Sequence, residues 1–246
     1  MIEEIIDEIK KLLKKKAPEL SSDQRDRICK IINSNNPNFK THGLKIKEIE
    51  GVAKVIFNQY ECSYEEAIEI FKALFQSDVQ DEIFAGIFFL NHFKKYFGEG
   101  TIELFRGQYA QYCHDWAICD STCIRVIGPF LGKKVNEELA KKTIIEWSAS
   151  ENMWIRRASM VILLKIIMLK KNFDEILVFE IVEKMLKYPE DYIHKALGWL
   201  LKTCSKYDPV SIFNYLMENK KRLNRLILRY ASEKLPKEKR ALILQK

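Results

Sequence analysis

Apolar residues recur every three or four positions through almost the whole of this chain, and short breaks punctuate the pattern at near-regular intervals. In YEEAIEIFKALF (64–75), VQDEIFAGIFFLNHFKKYF (79–97) and DEILVFEIVEKMLKY (174–188) the period is helical. Almost no stretch alternates with the period of two that a half-buried strand needs. Breaks fall at NSNNPNFKTHG (33–43), GEGT, GPFLGKK, KKNFD, YPED, KYDP and LPKE, each short and carrying turn or capping residues. With only 9 Gly and 6 Pro in 246 residues, little else interrupts a helix. The pattern predicts about a dozen helices which, taken in pairs, give units of roughly 35–40 residues. A helical hairpin of that size cannot bury its apolar face alone, so the pairs must stack. The expected fold is all-α, a superhelical solenoid of helical-hairpin repeats with one concave face. It forms a single domain over 1–246, with 1–40 as an N-terminal helical cap and 41–246 as the repeat array. No repeat consensus is visible, so the array is degenerate. The helix at 152–170 is apolar nearly all round, which suits a central position covered on most sides.

Lys and Arg total 41 against 34 Asp and Glu, a formal charge of +7 that suits a polyanionic partner such as nucleic acid or an anionic membrane surface. The first residues, MIEEIIDEIKKLLKKKAPEL, alternate charge with apolar residues and lack a secretory apolar run. The most apolar stretch, SMVILLKIIML, is too short to span a bilayer and contains Lys165. The 6 cysteines lack the spacing of a disulfide framework and are expected to be reduced. A soluble, cytoplasmic protein is therefore expected. Cys113, His114, Cys119 and Cys123 lack the paired Cys-x-x-Cys knuckles of a zinc site, and no metal or cofactor is expected. Cys119 and Cys123, one helical turn apart, read as small buried hydrophobes.

Three segments carry candidate chemistry. In HDWAICDSTC (114–123), Asp120 is the only acidic residue between Trp116 and Asn136, and on a helix its ridge neighbours are Trp116, Ala117, Cys123 and Ile124. A carboxylate there loses hydration and needs a partner or a task. In DYIHKALGWLLKTCSKYDP, the stripe Ile193, Ala196, Leu197, Leu200, Leu201 and Cys204 should face the core. Tyr192, Lys195, Trp199, Lys202 and Lys206 form a second stripe. Trp199 therefore stands among lysines, either packing a neighbouring repeat or forming a platform for a sugar–phosphate backbone. In SENMWIRRASMVILLK, Arg156 and Arg157 interrupt a run fit for burial, and each needs an anion, either a protein carboxylate or a phosphate.

Together these segments resemble the DNA alkylation repair family, in particular the AlkD-type alkylpurine DNA glycosylases. The likeness lies in Trp116 followed four residues later by Asp120, in W-x-x-R from Trp154 to Arg157, and in KALGW from Lys195 to Trp199. HGLKIKEIEGVAK (42–54) is similar to the family's early segment, and RLILRYASEKLP (225–236) to its closing helix. Order and approximate spacing agree from about residue 40 onward. The resemblance implies a superhelix of HEAT-like repeats and hydrolysis of the N-glycosidic bond of N3- and N7-alkylated purines in double-stranded DNA. It makes Asp120 the catalytic carboxylate, Trp116 and Trp199 the groove tryptophans, and Arg157 the arginine beside them. Lys195, Lys202, Lys206, Arg156 and Arg229 are the expected DNA contacts. The protein is expected to act as a monomer near the nucleoid. Two departures stand out: extra residues near 168–173, and no secure match for an early aromatic, for which Phe39 is the candidate. The competing expectation is a non-catalytic HEAT-like module that binds nucleic acid or protein; an armadillo-like scaffold predicts a groove without the cations around Trp199.

Overall fold

The computed structural model describes residues 1–33 and 39–245, so the 34–38 part of the first break lies outside the described residues. The described chain is all-α, and its sole bridge of strand type pairs Lys40 with Val79. No described helix is long and apolar enough to cross a membrane. The contacts divide the chain into two compact units, Met1–Thr122 and Cys123–Lys246.

The first unit holds α1 (Ile2–Lys16), α2 (Ser22–Asn33), α3 (Ile46–Gln59), α4 (Tyr64–Phe75), α5 (Gln80–Asn91), α6 (Glu99–Tyr112) and α7 (Trp116–Thr122). Several begin where the chain supplies a first-turn partner. Ser63 accepts the Glu66 amide while Glu66 returns a bond to the Ser63 amide, a reciprocal cap that starts α4. Ile5, Ile9 and Leu13 form the fully buried stripe of α1, which packs on α3 and α4. The centre is α5, buried from Gln80 to Leu90. Its first turn places polar groups in the interior, and they are paired. Asp81 accepts the Thr41 hydroxyl at 2.7 Å and the amides of His42 and Leu44 at 2.7 and 3.1 Å, which pins the loop entering α3. Gly43 in that loop has φ +79°, the left-handed conformation glycine adopts without strain. Phe39, the early aromatic candidate, is buried. By contrast none of the described side chains of α2 is fully buried.

The second unit opens with a π-turn, Cys123–Ile127, followed by α8 (Gly128–Leu131), α9 (Glu137–Ser148), α10 (Met153–Lys170), α11 (Glu175–Met185), α12 (Asp191–Cys204), α13 (Pro209–Glu218), α14 (Arg225–Ala231) and α15 (Lys237–Leu244). GPFL, expected as a break, is helical, and the break comes after Leu131. Within this unit α10 packs on α12 and α12 on α14, while α9 meets α11 and α13 meets α15. Two rows of helices result, and the hairpins α9/α10, α11/α12 and α13/α14 start at residues 137, 175 and 209, close to the spacing expected of stacked pairs. As its all-round apolarity predicts, α10 is buried from Ile155 to Leu164. The glycine of KALGW has a steric reason: a Cβ on Gly198 would lie 2.4 Å from the Tyr230 side chain, so glycine lets α14 pack closely on α12 at this position.

Candidate functional site

In the first unit the candidate residues lie on α7. Asp115 stands just before it, and its Oδ1 accepts the Ile118 amide at 2.8 Å, an N-cap bond of the usual Asp type. Its Oδ2 accepts Gln80 Nε2 at 3.1 Å, so the start of α7 is tied to the first turn of α5. Asp115 is 1% exposed. Burial pushes its carboxyl above the usual carboxylate range, against the Ile118 hydrogen bond, the His114 charge and the Gln80 hydrogen bond. This cap sets where α7 begins, and hence where Trp116 and Asp120, one turn apart, project.

Trp116 is half-buried, and its indole N–H donates to the Ile31 carbonyl of α2 at 3.2 Å. Asp120 is 7% exposed. Its neighbours on α7, Ile118 and Cys119, are fully buried, and the Tyr109 hydroxyl donates to the Cys119 carbonyl at 3.0 Å. Cys119 is thus the small buried group its spacing predicts, and Cys123 is equally buried across the change from α-helix to π-turn. Such π-turns are rare and frequent at functional sites.

In the second unit the candidate residues lie on the first turns of α10 and α12. Asn152 accepts the amides of Trp154 and Ile155 at 2.9 and 3.2 Å, which begins α10 and sets Trp154 and Arg157 on it. Arg157, 5% exposed, donates to the Tyr192 carbonyl, and its guanidinium carbon lies 6.0 Å from the Tyr192 ring. The Trp154 ring lies 5.1 Å from the same ring, and Lys195 Nζ 5.6 Å from it. Tyr192 is therefore the hub that brings Trp154, Arg157 and Lys195 together.

On α12 the two stripes separate as the helical wheel predicts. Ile193, Ala196, Leu197, Leu200, Leu201 and Cys204 are all fully or almost fully buried. Tyr192, Lys195, Trp199 and Lys202 are half-buried, and Lys206 is exposed. Trp199 contrasts with Trp147, which is 0% exposed in the core. Lys202 is held by Glu233 at 3.0 Å, and Arg229 is exposed on α14.

Adjacent arginines have different surroundings. Arg156, 4% exposed, donates to the carbonyls of Ser150 and Glu151 at 2.9 and 2.8 Å and to Glu190 at 2.6 Å. Its guanidinium lies 3.9 Å from the Tyr188 ring centroid. Of the two anions left open for it, a protein carboxylate is present. Arg156 thereby joins the turn before α10 to the turn before α12, the two helix starts that carry Trp154, Arg157 and Tyr192.

Asp115, Gln80 and Tyr192 were not singled out as functional by sequence. For Asp115 a signal existed, an aspartate immediately ahead of a helical stripe. For Tyr192 it was its place on the lysine stripe. Gln80 gave none, because its partner is 35 residues away.

Comparison with known proteins agrees with these elements. A solved structure described as a predicted DNA alkylation repair enzyme from Enterococcus faecalis shares the fold, with a TM-score of 0.71 over 88% of this chain and 95% of that one, at 20% identity. No curated protein matches the sequence. The family model described as DNA alkylation repair enzyme matches residues 9–235, and on that span the chain belongs to the DNA alkylation repair enzyme family.

Proposed function

We propose that this protein is a DNA glycosylase that hydrolyses the N-glycosidic bond of cationic N3- or N7-alkylated purines in duplex DNA, without enclosing the base in a pocket. The observation that carries this reading is Asp120, a carboxylate 7% exposed on α7, one turn from a half-buried tryptophan, on a helix start fixed by Asp115. The α12 face of Trp199 with Lys195, Lys202 and Lys206 supports a DNA partner, since lysines neutralise phosphates and an indole lies well against a sugar.

Alkylation at N3 or N7 gives the purine a positive charge, so it departs neutral, taking both electrons of the bond to C1′. No acid is needed for the leaving group. The sugar left behind resembles an oxocarbenium ion, which a carboxylate stabilises and which water then attacks. In this scheme Asp120 stabilises the cation and receives or directs the proton of that water, which passes to solvent. Trp116 and Trp199 offer π faces to the sugars, worth about 0.5–2 kcal/mol each. Arg157 holds a phosphate, and Arg229, Lys195, Lys202 and Lys206 meet the backbone, while Arg156 stays on Glu190. Selectivity then comes from the charge of the lesion, so bulky cationic adducts are substrates and neutral uracil is not. A soluble protein acting as a monomer in the cytoplasm, at the nucleoid, fits this work.

Repair by alkyl transfer to a thiol is the other chemistry the family description admits, and for five of the six cysteines burial or a raised pKa stands against it. Cys113, Cys119, Cys123 and Cys204 are buried. Burial pushes the Cys204 thiol up, and burial followed by the Glu66 charge raises the half-buried Cys62 thiol, so neither is poised as a thiolate nucleophile.

The test is release of N3-methyladenine or N7-methylguanine from methylated duplex. Asp120→Asn should bind duplex as the parent does while release falls by about a hundredfold or more, the usual scale for losing an electrostatic catalytic group. Unchanged release in the variant removes Asp120 from the mechanism. Uracil excision without release of N7-methylguanine overturns the substrate class, and duplex binding with no release leaves a binding module.

A further inference from the structure

The first unit carries a second cationic, aromatic surface made of residues that the scheme above does not use. After α5 the chain makes a single 3-10 turn, Lys94–Tyr96, in which all three side chains are exposed. Tyr96 is 54% exposed, although a tyrosine usually hides most of its ring. Its ring stacks on Tyr64 at 5.7 Å and 27°, and Lys95 Nζ lies 4.8 Å from its centroid. Tyr64 is fixed in turn by a 2.7 Å hydrogen bond between its hydroxyl and that of Thr101.

Beside this turn, His92 stacks on Phe57 at 4.6 Å and 13°. Burial, then the charges of Lys94 and Lys54, hold the imidazole below its ordinary pKa, so both ammonium groups lie close enough to act on it. Lysines after a helix also complement the negative end of its dipole, which accounts for Lys94 and Lys95 but not for a stacked, outward tyrosine. An exposed aromatic ring with Lys95 over it, on a turn shared with Lys94 and beside the imidazole that Lys54 also acts on, matches a polyanion that also has flat or sugar faces to offer.

We propose that this surface is a second DNA contact, at which Lys54, Lys94 and Lys95 meet backbone phosphates and the Tyr96 ring lies against a sugar or base. The partner is taken from the reading of the previous section; the surface itself is independent of Asp120 and of α12. It adds affinity and length to the footprint and leaves base release untouched.

The experiment measures anisotropy of a labelled, unmodified duplex across a salt series with the whole protein. Lys94→Ala/Lys95→Ala should weaken binding about tenfold and make the log–log salt dependence shallower by about 2, as expected for two lost phosphate contacts. Tyr96→Ala should weaken binding about fivefold or more with the slope unchanged, since stacking releases no counterions. Both variants should keep the parent's thermal midpoint and its rate of base release at saturating protein. Parent-like affinity and slope in both variants overturn the contact. So does a parent protein that fails to bind duplex, or a loss of binding confined to anionic lipid vesicles. A parent that binds duplex but releases no base sinks the glycosylase reading and leaves this one standing.

Discussion

Asp115 offers a sharp way to separate geometry from charge at α7. Two variants are compared with the parent, Asp115→Ala and Asp115→Asn. Alanine removes the N-cap acceptor of Ile118, at about 1 kcal/mol, and strands the buried Nε2 donor of Gln80, at about 1–3 kcal/mol more. The sum, about 2–4 kcal/mol, corresponds to a midpoint about 5–15 °C lower for a chain of this size. Asparagine keeps the acceptor for Ile118, and its amide can meet a flipped Gln80 amide. It also relieves a burial cost. Because burial raises the folded-state pKa of Asp115, the native state holds the proton more tightly than the unfolded chain. The ionised carboxyl therefore costs stability above its raised pKa. That cost fades as pH falls through the raised value and is gone below the ordinary value of 3.8. At neutral pH Asp115→Asn should match or exceed the parent, and any advantage should shrink toward pH 4. The assay is denaturation followed by far-UV circular dichroism from neutral to acid pH, paired with single-turnover base release. Asp115→Ala should lose release rate by more than it loses duplex affinity, because its effect passes through the positions of Trp116 and Asp120. If Asp115→Asn is as damaging as alanine at neutral pH, the charge is essential, through His114 Nε2 at 3.8 Å, and the hydrogen-bond argument is wrong.

Arg156→Ala should destabilise the second unit by about 1–3 kcal/mol, because it leaves two carbonyls without donors while Glu190, a third exposed, regains water; Glu190→Gln should cost about 1–2 kcal/mol. A loss below 1 kcal/mol in chemical denaturation of Arg156→Ala would remove its role as a tie between α10 and α12. Glu233→Gln should tighten duplex binding several-fold and steepen its salt dependence by about one contact, because it releases Lys202, which it now holds at 3.0 Å. Unchanged affinity would show that Lys202 stays off the DNA.

What the sequence made legible was whatever depends on periodicity. The two stripes of α12, the central burial of α10 and the span of α4 follow from three- and four-residue spacing, because burial on a helix is a local geometric property once the period is known. Trp199 could be told from Trp147 in part this way, since one stands among lysines on its helix and the other does not. What stayed hidden depends on partners far along the chain. Nothing near Gln80 announces that it will cap-lock a helix beginning 36 residues later, and nothing near Arg156 names Glu190. The π-turn at Cys123–Ile127 was equally silent, since one extra residue in a helical turn leaves no mark on composition.

The same distinction bears on the chemistry. In SENMWIRR the two arginines are equivalent by composition, and a phosphate or a carboxylate satisfies either. The coordinates give Arg156 a carboxylate, two carbonyls and a tyrosine ring, all from residues that flank the starts of α10 and α12. A guanidinium that engaged cannot leave for a phosphate without abandoning buried acceptors, a loss of the same order as the phosphate contact would return. Arg156 therefore serves best where it stands, and its effect on DNA runs through the placement of Trp154, Arg157 and Tyr192. A substitution there should lower stability and base release together. One that only weakened DNA binding, with stability intact, would reverse that assignment.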